Sequence, residues 1–297
     1  MKPRKNRHIE QKRLGMARDE QNSPELVKLG QVRPEQAEFG ESKGKGGLYA
    51  KKSLGQHFLV AHTYVRAMAD AGKVSRGDIV LEVGPGMGVL TKELLERGAK
   101  VIAIEKDDRM IPLLIEQFGD FIAKKQLILV HGDILEINLK KLGLNVGKYK
   151  VVANIPYYIS GLLFRFFLTH PIQPSSMTLL VQKEVGNRIA RSKKESLLSL
   201  SVKVYGKPLF IKKVPAGAFN PMPKVDSAIL TIEGISRDRF TKKGQEQRFF
   251  ELIHAGFAHK RKKLGKALTP YIGARAQEVK DMRAEDLALE TWIDLSK

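Results

Sequence analysis

Four consecutive residues, Asn154-Ile-Pro-Tyr157, carry the most specific chemistry in this sequence. They follow an apolar run, Tyr149 to Ala153, that reads as a buried strand. An amine conjugated to a purine is a poor nucleophile, because its lone pair is delocalised into the ring. The side-chain oxygen of Asn154 and the carbonyl of Ile155 or Pro156 can accept its two N–H bonds. That steers the nitrogen towards tetrahedral geometry and points the lone pair at a methyl group. Pro156 stiffens the loop. Tyr157 offers a face for base stacking, worth about 1–3 kcal/mol per base. Taken alone, the same four residues also describe a plain turn after a buried strand.

A second constellation lies upstream. Ile79 to Val83 is β-branched and apolar, and it breaks at Gly84, Gly86 and Gly88. Leu90, Leu94 and Leu95 then recur at helical spacing up to Gly98, and Val101 to Ile104 forms another apolar run ending in Glu105. This is a strand, a glycine turn, a helix and a strand with a terminal acid. Such a turn lets a ligand approach the backbone, and such an acid can hold a ribose diol. A third run, Leu127 to His131, ends in Gly132-Asp133, and Asp133 can accept a bond from an exocyclic amine such as that of adenine. Either acid alone reads as a loop cap, but at successive strand ends both face one crevice. A dinucleotide would need turn amides for its pyrophosphate. Here Glu82 lies two residues before Gly84, and Pro85 removes one donor. A ligand with an ammonium and no phosphate suits the turn better, and S-adenosyl-L-methionine is such a ligand.

The elements that must position these residues alternate. Helices are expected at about His62–Ala71, Asp108–Phe118 (capped by Asp107), Gly161–Leu168 and Lys183–Arg191. Further strands are expected at Met177–Gln182, Leu209–Val214 and Ser227–Glu233. Leu197–Tyr205 fits either a helix or a strand. The alternation implies an α/β fold with a doubly wound, mostly parallel sheet. From about Ser236 the pattern is helical only, with Phe249, Phe250, Leu252, Ile253, Phe257 and Leu264 at helical spacing and a last segment from Ala284 to Ser296. The expected division is a basic, disordered extension over 1–50, a catalytic domain over 51–235 and a small helical RNA-binding domain over 236–297.

The 297 residues carry a formal net charge of +20 and no cysteine. Disulfides and thiolate metal sites are excluded, and phosphate-rich partners are implied. No apolar run approaches the roughly 18 residues of a membrane span, and the charged N-terminus has no apolar signal core. A cytoplasmic location, no membrane and no metal are expected.

The sequence resembles the small-subunit ribosomal RNA adenine N6-dimethyltransferases of the KsgA type, from about Lys52 to Glu233. The resemblance rests on Gln56-His-Phe-Leu59, Glu82-Val-Gly-Pro-Gly-Met-Gly-Val-Leu-Thr91, Glu105, Gly132-Asp133, Asn154-Ile-Pro-Tyr157, Val181-Gln-Lys-Glu-Val185 with Arg188, and Phe219-Asn-Pro-Met-Pro-Lys-Val-Asp-Ser227. Phe257 and Arg261-Lys-Lys263 extend it into the helical segment. It implies a Rossmann-like S-adenosylmethionine-dependent methyltransferase sheet with a small all-helical C-terminal domain. It also implies roles. His57 and Leu59 border the cofactor, although many members have Asn where His57 stands. Glu82, Gly84 and Gly86 form the cofactor turn, with Gly84 on the methionine part. Glu105 takes the ribose, Asp133 the adenine, and Asn154 both cofactor and target base. Pro156 shapes the catalytic loop, and Tyr157 and Phe219 sandwich a flipped adenine. Lys260, Arg261, Lys262 and Lys263 are the expected RNA contacts. The implied partner is small-subunit rRNA within the pre-30S particle, with the enzyme a monomer. The rivals are a large-subunit rRNA methyltransferase of the macrolide-resistance type, a non-catalytic ribosome-assembly factor and an NAD-dependent oxidoreductase.

Overall fold

A computed structural model describes residues 57–259 and 262–297. The expected 1–50 extension and Lys260 and Arg261 lie outside the described residues. The central sheet has seven strands: β2 (Ile79–Val83), β3 (Lys100–Glu105), β4 (Leu127–His131), β5 (Lys150–Asn154), β6 (Ser176–Gln182), β7 (Lys207–Val214) and β9 (Ser227–Glu233). Their order is β4-β3-β2-β5-β6-β9-β7. The first five are mutually parallel, while β9 runs antiparallel to both β6 and β7. The expected mostly parallel sheet is therefore present, with an antiparallel edge.

Side chains alternate across the sheet, as a strand requires. Leu81, Val83, Ile102 and Ile104 join the apolar cluster on one face. Val80, Val101 and Ala103 join the cluster on the other, where α1 (His62–Ala71), α2 (Val89–Glu96) and α3 (Met110–Ala123) supply Met68, Leu94 and Met110. The first cluster receives α4 (Ser160–Thr169), α5 (Lys183–Ala190) and α6 (Leu197–Lys203), and continues into the C-terminal helices.

The Leu197–Tyr205 ambiguity resolves as α6. Ser196 caps it by accepting from the Ser199 N–H, and Ser199 reciprocates. A reciprocal cap of this kind satisfies two orphan donors. The regular turns of α3 start at Met110, and the Asp107 side chain accepts the Arg109 N–H at 3.3 Å ahead of them, as the expected cap would. Asp107 is also engaged by the Arg109 guanidinium, Nε to Oδ1 at 2.9 Å and Nη2 to Oδ2 at 2.6 Å. α3 also runs past Phe118, where the backbone kinks, to Ala123.

Two short strands were not expected. β1 (Phe58–Leu59) pairs antiparallel with β8 (Phe219–Asn220), bringing Leu59 opposite Phe219. This ribbon sets the segment before α1 against the loop before β9.

The C-terminal part comprises α7 (Gln245–Phe257), α8 (Leu264–Ile272) and α9 (Leu289–Leu295), with 3-10 turns at Gly273–Val279 and Ala284–Asp286. The expected last helical segment is thus a turn followed by a helix. Phe249, Leu252, Leu268 and Trp292 are fully buried in the cluster shared with the sheet. No helix among the described residues is long and apolar enough to cross a membrane.

Gly256 on α7 meets the face of α9, and a Cβ there would lie 2.5 Å from the Trp292 ring. Helix propensity alone favours a larger residue by up to about 1 kcal/mol. Crowding a buried indole reverses that sign, at about 1–3 kcal/mol for overpacking. Gly256→Val is expected to lower the unfolding free energy by about 2 kcal/mol, read as a shift in the urea midpoint at unchanged slope.

Candidate active site

The strand order reverses between β2 and β5, since β3 and β4 extend from one side of β2 and β5 and β6 from the other. Ligands of open α/β sheets bind in the crevice at such a point, beyond the carboxyl ends of the strands. A cleft of about 1140 Å³, measured to its open mouth, lies there. All the cofactor residues expected from sequence line it, as do Pro156 and Tyr157.

The glycine turn is held by its own strands. Gly84 donates its N–H to the Ile104 carbonyl at 2.8 Å, and Gly88 to the Pro85 carbonyl at 2.9 Å. Gly86 donates to Glu105 Oε2 at 3.0 Å, and the Asp107 N–H reaches Glu105 Oε1 at 2.7 Å. All three glycines have positive φ, and a Cβ on Gly84 would meet nothing within 4 Å. Gly84 thus leaves open space beside the backbone, while a Cβ on Gly86 would lie 3.0 Å from the Phe58 ring.

The three acids sit in different surroundings. Glu82 is 1% exposed and accepts the Thr91 hydroxyl at 2.7 Å. Burial pushes its pKa up to about 8; the Thr91 bond opposes this and the nearby Glu105 adds to it. Glu105 is 5% exposed, and burial raises it above the ordinary range against the pull of the Asp107 and Gly86 amides. Asp133 is lowered: burial pushes it upward, but the Lys106 ammonium at 2.7 Å and the Leu135 N–H at 3.0 Å outweigh that.

Asn154 ends β5, and its Nδ2 donates to the His57 carbonyl at 3.3 Å. A carbonyl can only accept, so this contact fixes the orientation of the amide. Its Oδ1 is left without a protein partner among the described residues. His57 Nδ1 donates to the Pro221 carbonyl at 2.8 Å, and the ring stacks on Tyr157 with centroids 6.0 Å apart and planes 22° apart. The Tyr157 hydroxyl lies 2.6 Å from Ser227 Oγ at the start of β9. Pro156 precedes the 3-10 turn Tyr157–Ile159 that leads into α4. Leu59 is buried against the cleft from β1.

Phe219 is placed otherwise than expected. It is 4% exposed, lies in the apolar cluster that contains Leu59, Val65 and Ile229, and does not line the cleft. Its backbone is committed to Leu59, so it offers no open face to a base. Of the two rings, Tyr157 alone lines the cleft. Of the expected RNA contacts, Lys262 is exposed, whereas Lys263 is paired with Asp281 at 2.7 Å. A backbone bridge sets Arg283 opposite Lys263, which no sequence spacing revealed. Sequence reading also passed over Lys106, Met87 and Tyr158 on the cleft wall. Tyr158 is 65% exposed, and its only prior sign was its place beside Tyr157.

This sheet order, with a glycine turn and acids at successive strand ends around one cleft, defines a Rossmann-like fold. A family model of ribosomal RNA adenine dimethylases matches residues 47–297, and the chain belongs to that family. A ribosomal RNA small subunit methyltransferase A from Dehalococcoides mccartyi is 41% identical over 260 residues, covering 84% of this chain and 88% of that protein. One from Clostridium botulinum is 36% identical over 220 residues, covering 73% and 78%. In fold, the chain is similar to a dimethyladenosine transferase from Plasmodium falciparum, with TM-score 0.69, 24% identity and 80% and 96% of the chains covered. It is also similar to the 23S rRNA methyltransferase ErmE, with TM-score 0.65, 22% identity and 80% and 98% covered.

The buried Glu82 gives a pH test on the protein without ligand. An acid whose pKa is higher folded than unfolded costs nothing below both values and increasingly more as pH rises between them. Its contribution therefore erodes stability from about pH 4.5 to about pH 8 and is constant above. Glu82→Gln removes that slope. Relative to wild type it is expected to gain several kcal/mol of unfolding free energy across this window, measured by urea denaturation at stepped pH.

Proposed function

We propose that the chain transfers methyl groups from S-adenosylmethionine to the N6 amines of two adjacent adenines in the 3′-terminal hairpin loop of small-subunit rRNA. Each adenine takes two methyls, and the substrate is the pre-30S particle in the cytoplasm, met by a monomeric enzyme. The observation that carries this reading is the unpartnered Oδ1 of Asn154, oriented by the His57 carbonyl beside the Tyr157 ring. The names of the sequence relatives favour the small subunit. Fold alone does not set the large subunit aside, because the 23S rRNA methyltransferase ErmE shares it.

The cleft residues fit the methyl donor. Glu105 has its oxygens anchored by backbone N–H groups and keeps lone pairs for a ribose diol. Asp133 lies across the cleft to receive the adenine amine, and the open backbone at Gly84 admits the amino-acid part. Leu59, Gly86 and His57 complete the wall. Glu82, neutral when buried alone, becomes easier to ionise beside an ammonium. When bound, S-adenosylmethionine supplies a methyl group on a sulfonium centre.

The chain's own contribution is positioning, which supplies a large part of such an acceleration. Asn154 Oδ1 and a carbonyl of Ile155 or Pro156 accept the two amine N–H bonds. That localises the nitrogen lone pair towards the methyl group. Tyr157 stacks on the extruded base, its ring fixed by Ser227 and His57. Extrusion costs a few kcal/mol, least for a base already outside a duplex. Phe219 acts as the buried support behind Leu59 and closes on the base only if the 219–226 segment shifts. After transfer the amine proton is acidic and passes to solvent. Residues 51–235 carry this chemistry, and 236–297, with Lys260, Arg261, Lys262 and Lys263, hold rRNA phosphates. Such contacts make binding strongly salt-dependent.

Wild-type enzyme is expected to methylate isolated small subunits lacking the modification and not large subunits; activity on the large subunit alone would overturn the assignment. Asn154→Ala is expected to lower kcat by about 10²–10³-fold, with normal turnover sinking the mechanism. Tyr157→Ala is expected to raise KM for the particle about ten- to hundredfold.

A further inference from the structure

Asp133 is the group expected to take the adenine amine, yet its carboxylate already has partners. Oδ1 accepts the Leu135 N–H at 3.0 Å, which pins the side chain to its own loop. Oδ2 is 2.7 Å from the Lys106 ammonium. Lys106 directly follows Glu105, and both line the cleft. It thus stands between the carboxylate that suits the ribose and the carboxylate that suits the base. The two partners differ in freedom. The Lys106 side chain is 66% exposed and the Asp133 side chain 21%. Lysine carries its charge on a flexible stem and is readily hydrated, so Lys106 can turn to water while Asp133 stays.

We infer that Lys106 is a displaceable counter-ion of Asp133 that competes with the adenine amine and so loosens the hold on methyl donor and demethylated product alike. This rests on the function proposed above. The exchange replaces a cationic donor to the Asp133 carboxylate by a neutral amine, which is held less strongly. The donor and S-adenosylhomocysteine carry the same adenine, so both lose affinity by the same factor. Selectivity for the methylated form is unchanged, and exchange of spent for fresh cofactor is faster. An enzyme that makes four transfers to one RNA site gains from rapid exchange at each step. Lys106 is therefore a positioning and release residue, remote from the reacting nitrogen.

Calorimetric titration of the full chain tests this with three ligands: S-adenosylmethionine, S-adenosylhomocysteine and S-inosylhomocysteine, in which a keto oxygen replaces the amine. Lys106→Met keeps the stem and removes the charge. It is expected to bind both adenine ligands about two- to fivefold tighter, the range of an exposed ion pair. The ratio between the two stays that of wild type. S-inosylhomocysteine shows no gain, because its keto group has no proton to give Asp133 and loses a donor in Lys106. Lys106→Gln must move in the same direction, which guards against an effect of the methionine itself. Unchanged or weaker binding of S-adenosylhomocysteine overturns the inference while leaving the methyl-transfer reading intact. An equal gain for the inosyl ligand also overturns it, since the effect would then not pass through Asp133. If neither wild type nor variant binds any adenine ligand, the methyl-transfer reading falls and this inference with it.

Discussion

The site depends on one carboxylate that is almost wholly withdrawn from water. Glu105 is 5% exposed, and an unpaired charge at that depth is costly. Its oxygens are satisfied by the backbone amides of Gly86 and Asp107. Hydrogen bonds to a charged acceptor contribute about 1.5–3 kcal/mol each. The same pair of bonds ties the glycine turn after β2 to the end of β3. Gly84, bonded to the Ile104 carbonyl, ties it a second time. The turn is thus fixed by the neighbouring strand before any ligand arrives. A binding crevice whose backbone is set in advance loses little conformational freedom on binding.

On the other side of the switch point the controlling contact is weaker and more indirect. Asn154 is at the end of β5, but what its amide can do is decided by the His57 carbonyl, 97 residues earlier. His57 is in turn placed by the Phe58–Leu59 ribbon and by its bond to Pro221. Tyr157 depends on Ser227, the first residue of β9. The antiparallel insertion of β9 beside β6 therefore sets the 219–227 segment against His57 and Tyr157, two residues of the cleft wall. That gives the departure from an all-parallel sheet a role in the site.

These long-range dependences mark where the sequence could be read and where it could not. The β2 turn, α2 and the acid ending β3 were legible, because apolar spacing changes from period 2 to period 3.6 across three glycines. Asn154-Ile-Pro-Tyr157 was legible as chemistry, since few residue sets can accept both protons of an amine and stack its ring. The ribbon of β1 and β8 was not, since two residues per strand carry no periodicity and their pairing spans about 160 positions of chain. Phe219 taken alone reads as a core residue, and only the resemblance assigned it to the base; the pairing to Leu59 agrees with the reading as core. Asp107 was legible as a cap, and it does accept the Arg109 N–H; what the sequence did not reveal is that the same carboxylate also takes a two-point ionic contact from the Arg109 guanidinium.

The distinction from a dinucleotide-binding fold rested, on sequence, on the charge of Glu82 and on the missing donor of Pro85. Glu82 proves to be buried and biased towards its neutral form, so its charge is the lesser argument. The stronger one is a hydrogen-bond account of the turn. A pyrophosphate at a glycine-rich turn is held by amides that point outward with no other partner. Here the N–H of Gly84 goes to a carbonyl of β3, that of Gly86 to Glu105 and that of Gly88 to Pro85. A phosphate would have to displace a buried carboxylate from Gly86 and then sit beside it, uncompensated. A nucleoside with a cationic amino-acid arm meets no such conflict. It needs acceptors from the turn region, and two buried acids are there to provide them. The choice of ligand at this turn thus depends on where its glycine amides are spent, here on the Ile104 and Pro85 carbonyls and on Glu105.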